Sequence, residues 1–113
     1  MHEMSLMEGV LSIVLDAQRE HGFSRVITLT LEVGAVSGVE PEALEFCFEA
    51  VMAGSPAAGA KLDLLLVPAK GWCASCEEEV QVESRADLCP KCSGIVGALS
   101  QGSDLKIKDL EVE

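Results

Sequence analysis

Residues 73–92 have the sequence CASCEEEVQVESRADLCPKC, in which twelve residues separate two Cys-x-x-Cys pairs. Two intervening residues let both sulfurs of a pair reach one metal ion, and two pairs complete a tetrahedron. The segment 70–98 is too short to bury enough apolar surface to fold alone, so metal binding would supply the missing stability. The pattern predicts a closed, structural Zn²⁺ site. The predicted zinc ligands are Cys73, Cys76, Cys89 and Cys92.

Two other interpretations of the cysteine pairs stay open. The run Cys-Pro-Lys-Cys-Ser-Gly at 89–94 is close to a rubredoxin knuckle, and a tetrahedral four-sulfur site suits iron as well as zinc. Rubredoxins shield their iron with several aromatic side chains, whereas only Trp72 is available here, and we expect it to pack over the first pair. A redox disulfide or a chance pairing is the third interpretation.

Regular hydrophobic periodicity returns on both sides of the cysteine segment. Alternation predicts strands and helical spacing predicts helices. The predicted elements are a helix over 5–21, whose start could lie a residue or two earlier, a strand over 25–33, a helix from Pro41 to about residue 53, and strands over 61–67 and 104–112. Ser5 and Glu8 form a capping-box pattern, and Gly22 is a plausible stop for the first helix. A change of phase in the last strand predicts a β-bulge near Lys108 and Asp109.

These elements predict an α+β fold in which two helices lie on a three-stranded sheet, with an inserted small zinc-ribbon-like domain. The predicted α+β body comprises residues 1–69 and 99–113. The predicted zinc-binding domain comprises residues 70–98. Cys47 lies on the apolar stripe of the second helix, and we expect it to be a buried small residue rather than a ligand.

The overall charge restricts the partners. The chain has 113 residues and a formal net charge of −11, without a cluster of Lys or Arg. Such a chain repels phosphate backbones, so we expect no nucleic-acid partner. We also expect no membrane span, because no apolar run approaches the roughly 18 residues that a span requires. Five cysteines, four of them in close pairs, favour a reducing compartment, and we expect a cytoplasmic protein.

The amino terminus, Met1-His2-Glu3, has the chemistry of a chelating site. A large second residue disfavours removal of Met1, so His2 should stay second. The free amine, the His2 amide nitrogen and the His2 imidazole can form fused chelate rings, which suit Ni(II) or Cu(II). Glu3 could add its carboxylate or its own amide nitrogen. An N-terminal His is nevertheless more often simply solvated, so the residues alone leave this site open.

The whole chain resembles the HypA/HybF hydrogenase-maturation nickel metallochaperones. The resemblance rests on Met-His-Glu-Met-Ser at the start, LEVGAVSGVEPE at 31–42, the two cysteine pairs, and a terminal Leu-Glu-Val-Glu, all in the same order. It implies a nickel-binding domain that carries an inserted zinc domain. It also implies delivery of Ni(II) to [NiFe]-hydrogenase large-subunit precursors together with a hydrogenase-maturation GTPase.

The resemblance also assigns residues. It places nickel ligation on His2 with the backbone of Met1 to Glu3, and zinc ligation on the four paired cysteines. Glu40 is a candidate auxiliary nickel ligand, and the alternative is that it caps the second helix. For His21, in the last turn of the first helix, a favourable charge at the helix end is a sufficient explanation.

The function predicted from the sequence is a non-enzymatic nickel carrier with Ni(II) as transient cargo and Zn(II) as structural metal. Four thiolates leave no open metal position, and no nucleophile–base pair suggests catalysis. The alternatives are a rubredoxin-like electron carrier and a zinc-ribbon adaptor without a labile metal. A homodimer also stays open, since the sequence does not define the oligomeric state.

Overall fold

Residues 3–113 are described in a computed structural model, and they form two helices and six strands. The elements in chain order are α1 (Glu3–His21), β1 (Val26–Gly34), α2 (Pro41–Met52), β2 (Lys61–Val67), β3 (Ala69–Cys73), β4 (Glu78–Val82), β5 (Val96–Gln101) and β6 (Leu105–Val112). The strands form two three-stranded sheets with the orders β2-β1-β6 and β4-β3-β5. The α+β class with two helices and a three-stranded sheet is confirmed, whereas the second sheet was not predicted from the sequence.

The ends of α1 confirm one prediction and correct another. Gly22 has a φ of 72°, and its amide donates to the Gln18 carbonyl at 2.8 Å, which ends the helix in the left-handed conformation that glycine tolerates best. At the other end, α1 already includes Glu3, so Ser5 lies inside the first turn and the predicted capping box is wrong. The acidic Glu3 favours this earlier start, because a negative charge stabilises the first turn of a helix.

Contacts divide the chain into two compact units. The first unit comprises the described residues up to Leu31, then Val39–Leu64 and Ile107–Glu113. In this unit α1 contacts α2, and the helices and strands share an aliphatic core. Its largest fully buried side chains are Met7, Val14, Val26, Leu29, Leu31, Leu44 and Met52.

The second unit comprises Glu32–Gly38 and Leu65–Lys106. Strand β3 lies at its centre and pairs antiparallel with β4 and with β5, and the register to β5 shifts between Gly71 and Cys73. The backbone packs tightly at Gly102, which has a φ of 88°, and a Cβ there would lie 2.4 Å from the Cα of Ala69. We therefore expect this position to require glycine.

Two sequence predictions about the fold stay predictions. The domain boundaries at 1–69 with 99–113 and at 70–98 are one, and the β-bulge near Lys108 is the other. Neither helix within residues 3–113 is long and apolar enough to cross a membrane.

Candidate metal centres

Each cysteine pair lies at a turn of the second unit. Cys73 is the last residue of β3 and pairs with Glu78 at the start of β4, so that Cys76 falls in the intervening turn. The second pair lies between Leu88 and Ile95, which form an antiparallel bridge that closes its turn. The local chain folds back twice, and this brings together residues that are up to nineteen positions apart.

Both turns use a left-handed residue directly after the second cysteine of the pair. Glu77 has a φ of 54° and Ser93 a φ of 62°. At 93–94 it is Ser93, and not the following glycine, that adopts the left-handed conformation. Non-glycine residues rarely adopt this conformation, and here it occurs at the equivalent position of both turns.

The four sulfur atoms form a compact cluster. They all lie within 4.8 Å of one another, with 3.5 Å between Sγ of Cys73 and Cys92 and 3.9 Å between Sγ of Cys76 and Cys89. A tetrahedral site with Zn–S bonds of about 2.3 Å requires sulfur–sulfur distances of about 3.8 Å. The arrangement therefore fits one tetrahedral metal ion of this size, and we call these residues the four-cysteine cluster.

Backbone amides of the second turn point at the thiolates. The Lys91 amide donates to Sγ of Cys89 and the Gly94 amide donates to Sγ of Cys92, each at 3.4 Å. Hydrogen bonds from the backbone of Cys92 and then of Lys91 lower the pKa of the Cys89 thiol to about 7. Such bonds stabilise the thiolate, which is the form that binds metal.

The thiol of Cys76 has the opposite tendency. The hydrogen bond with Cys92 is the larger cause and burial the next, and together they raise the pKa of the Cys76 thiol to about 12. A hydrogen bond to a neighbouring thiol favours the protonated form of Cys76, and a bound metal ion would replace that proton. The cluster as a set is therefore suited to cation binding, although its members are inequivalent.

An aliphatic shell surrounds the four-cysteine cluster. Cys73 and Cys89 are buried, Cys76 is half-buried and Cys92 is exposed. The other side chains of this core are Val36, Ala69, Val80, Val82, Val96 and Leu99. Trp72 is 51% exposed and is not among them, so the expectation that it packs over the first pair is wrong. The aromatic shield that a rubredoxin-like site would use is therefore not part of this core.

Two features of this centre were missed from the sequence. The first is an ion pair in which Nζ of Lys91, in the second turn, donates to the carboxylate of Glu78 at the start of β4. The same pairing raises the pKa of the Lys91 ammonium. The second is Val36, which comes from the loop after β1 and contacts the cysteine core. No local pattern could find either of them, because both depend on contacts between distant parts of the chain.

The candidate nickel residues are only partly within the described chain. Met1 and His2 lie outside the described residues. Glu3 and Glu40 come together, because the Glu40 amide donates to Oε2 of Glu3 at 3.1 Å. Glu40 occupies the N-cap position of α2, yet its side chain makes no capping hydrogen bond and is exposed. Its carboxylate is therefore not used as a helix cap.

His21 lies at the opposite end of α1 from Glu3. It is the last residue of α1, and Glu3 is the first described one. At a rise of 1.5 Å per residue, about 27 Å separates them along the helix axis. His21 and Glu3 therefore do not belong to one metal site within a single chain.

Known proteins resemble the chain over its full length. The family model "HypA: Hydrogenase/urease nickel incorporation, metallochaperone, hypA" matches residues 1–112. A hydrogenase maturation factor HypA from Albidiferax ferrireducens is 46% identical over 113 residues, with all of both chains covered. A hydrogenase maturation factor HypA from Cereibacter sphaeroides is 49% identical over 115 residues, again with all of both chains covered.

Two solved structures share the fold. The solution structure of the Ni metallochaperone HypA from Helicobacter pylori has a TM-score of 0.73 at 19% identity and covers 99% of this chain and 97% of that chain. A second solution structure of a HypA protein has a TM-score of 0.76 at 18% identity and covers 100% of this chain and 97% of that chain.

Proposed function

Because the chain belongs to the HypA family of hydrogenase/urease nickel-incorporation metallochaperones, we propose that it carries Ni(II) as cargo and delivers it to the precursor of a [NiFe]-hydrogenase. The observation that carries this proposal is the family match, which extends over residues 1–112. The metallochaperone family and the metal-binding cysteine cluster both favour a carrier over an enzyme.

The proposed nickel site is the amino terminus. Its donors are the Met1 amine, the amide and imidazole nitrogens of His2, and Glu3 through its backbone or side chain. Nitrogen-rich, tetragonal donor sets suit Ni(II), and a site at the end of the chain would let a docked partner take over the ion by ligand exchange. An extension before Met1 would convert the amine into an amide, which coordinates poorly, and should therefore weaken binding.

Glu40 is the proposed auxiliary group at this site. The contact between its amide and the Glu3 carboxylate supports the proposal, because it puts Glu40 next to the third residue of the chain. The Glu40 side chain is exposed and forms no helix cap, so its carboxylate is available to a bound cation.

The proposed ion at the four-cysteine cluster is Zn(II), held by all four thiolates. A bound Zn(II) would stabilise the fold of the second unit and would have no open position for substrate. The lack of an aromatic shield in the surrounding core favours zinc over a rubredoxin-like iron site. The assignment of all four cysteines as zinc ligands and the boundaries of the zinc-binding domain at 70–98 belong to this proposal.

The proposed partners are a hydrogenase-maturation GTPase and the hydrogenase large-subunit precursor, in the cytoplasm. The family description also names urease, so a urease is a further candidate recipient. The acidic charge of −11 disfavours nucleic acid as a partner.

Transfer of labelled nickel tests the proposed function. The zinc-loaded chain, charged with one equivalent of radiolabelled Ni(II), is incubated with the GTPase, GTP and the large-subunit precursor, and the nickel bound to the precursor is measured. We expect faster loading than with the same total nickel supplied without the chain. Equal loading with and without the chain would contradict delivery.

A further inference from the structure

The outward face of α2 carries an exposed aromatic side chain among acidic ones. Phe46 is 71% exposed. Around it, the exposed residues Glu42, Glu45 and Glu49 are three and four positions apart, so they share one stripe along the helix. A large aromatic side chain at this exposure has apolar surface that the fold itself does not cover.

This stripe borders a groove in the first unit. The groove has a volume of about 370 Å³, and Phe48, which is 4% exposed, forms part of its lining. The other residues that line it are Glu42, Glu45, Phe46, Glu49, Ala60 and Leu62. We call it the acidic groove.

The acidic groove continues toward the end of α2. A second hollow of about 480 Å³ shares Phe48, Glu49 and Ala60 with it and also includes Met52 and Ala53. The combined depression follows α2, whose twelve residues extend over about 18 Å. This length suits a short polypeptide segment better than a small molecule.

No positive charge neutralises the acidic groove within residues 3–113. Its lining includes no Lys, Arg or His, and none of the ion pairs in this part of the chain involves its three glutamates. Lys61, which is next to the lining residues Ala60 and Leu62, pairs with Asp63 at 3.5 Å. The negative charge of the acidic groove is therefore open to an external cation.

The charge pattern is unfavourable for α2 in isolation. Glu45 and Glu49 are four positions apart, where like charges destabilise a helix. The last turn of α2 has no basic residue, although a positive charge would stabilise it there. Cationic side chains from a partner would relieve both effects.

We propose that the acidic groove docks a basic segment of a partner protein. An apolar side chain of that segment packs on Phe46 and over the lining residue Leu62, and its Lys or Arg side chains pair with Glu42, Glu45 and Glu49. An Arg could also stack on the Phe46 ring. This inference goes beyond the proposed nickel transport, because the docking contact requires no nickel.

A second copy of the chain is a poor occupant. A two-fold symmetric contact would place two acidic grooves against each other, and their glutamates would repel. The chain as a whole has only 8 Lys and Arg against 19 Asp and Glu, which disfavours a head-to-tail contact as well. Charge complementarity therefore favours a different, basic partner.

The test uses the full-length, zinc-loaded, nickel-free protein. The probe is a short fluorescein-labelled peptide in which Lys residues flank a Leu-Leu pair, and fluorescence anisotropy measures its affinity. We expect Glu42→Gln/Glu45→Gln/Glu49→Gln and, separately, Phe46→Ala each to weaken binding by about tenfold. The triple variant should melt no lower than the wild type, because it removes like-charge repulsion.

Matched controls separate the acidic groove from the general acidity of the protein. Glu8→Gln/Glu20→Gln/Glu83→Gln makes the same change in net charge at exposed residues outside the acidic groove. Ile13→Ala removes an apolar side chain that is 53% exposed on α1. Both controls should bind the peptide within about twofold of the wild type.

Any one of four outcomes would overturn the proposal. The wild type could fail to bind the peptide, or Phe46→Ala could keep full affinity. Either control could also lose as much affinity as the acidic-groove variant to which it is matched. A wild-type dimer that Phe46→Ala converts to a monomer would also overturn it, because the surface would then belong to a homodimer. Nickel uptake by the triple variant is measured in parallel, so failure of docking is distinguishable from failure of nickel binding.

Discussion

The backbone amide of Glu40 donates a hydrogen bond to the side-chain carboxylate of Glu3, with 3.1 Å between nitrogen and oxygen. The bond joins the first turn of α1 to the residue that begins α2, although 37 positions separate the two residues. It directs the start of the described chain to one end of α2. In our proposal, nickel binds at that same end.

Loss of this hydrogen bond should loosen the start of α2. Glu3→Ala should speed hydrogen exchange at the Glu40 amide and lower the free energy of unfolding by about 0.5–1.5 kcal/mol, the usual contribution of one hydrogen bond. Hydrogen exchange followed by NMR measures the first effect and urea denaturation the second. Glu8→Ala, on an exposed face of the same helix, is the control. Unchanged exchange at Glu40 in Glu3→Ala would show that the bond does not form in solution.

The four-cysteine cluster should hold the second unit together. Cys73→Ala should abolish zinc binding and collapse the NMR amide dispersion of residues 70–98, because the remaining aliphatic core there is small. The loop with Val36 should lose dispersion too, since it packs on the same core. Amides of α1 and α2 should keep much of theirs. Full dispersion in the cysteine segment of the variant would contradict a structural role for zinc.

The ion pair between Lys91 and Glu78 should slow zinc loss. It joins the second cysteine turn to β4, and it places a positive charge close to a site that four thiolates and Zn²⁺ would leave with a net negative charge. Lys91→Glu should speed zinc transfer to a chromogenic chelator roughly two- to fivefold. Lys91→Glu combined with Glu78→Lys should recover most of the difference. If the double variant loses zinc as fast as the single one, the pair has no such role.

Cys47 should be chemically protected in the folded protein. It is 7% exposed on the buried side of α2, so a thiol reagent reaches it only when the structure opens. In the native, zinc-loaded protein we expect labelling far slower than in denaturant, as measured by mass spectrometry. Cys47→Ala identifies any signal that arises from the other cysteines. Rapid stoichiometric labelling at Cys47 would reopen a ligand or redox role for it.

Sequence patterns were sufficient to predict the features that depend only on residues close together in the chain. The apolar segment 61–67 was predicted as a strand with the bounds observed for β2, and Gly22 predicted the end of α1. The Cys-x-x-Cys spacing likewise predicted which four sulfur atoms meet. In each case the signal is local, because periodicity and short turns depend on neighbouring residues.

The features that the sequence did not predict depend on distant contacts. Strands β3, β4 and β5 lack clear periodicity, since turns at the cysteines and register shifts determine their pairing. The packing of Val36 on the cysteine core and the bond between Glu3 and Glu40 join segments that no short pattern relates. Trp72 was expected to cover the cysteines, but its alternating position on β3 turns it away from the face that carries Cys73.

Nickel titration of the untagged, zinc-loaded protein and of its His2→Ala variant tests the central claim most directly. Both proteins are titrated with Ni(II) by calorimetry, and metal analysis measures zinc and nickel after gel filtration. We predict that the wild type binds one equivalent of Ni(II), whereas His2→Ala loses stoichiometric binding and keeps its zinc. A His2→Ala protein that still bound one equivalent of Ni(II) at wild-type affinity would contradict the assignment of nickel to the amino terminus.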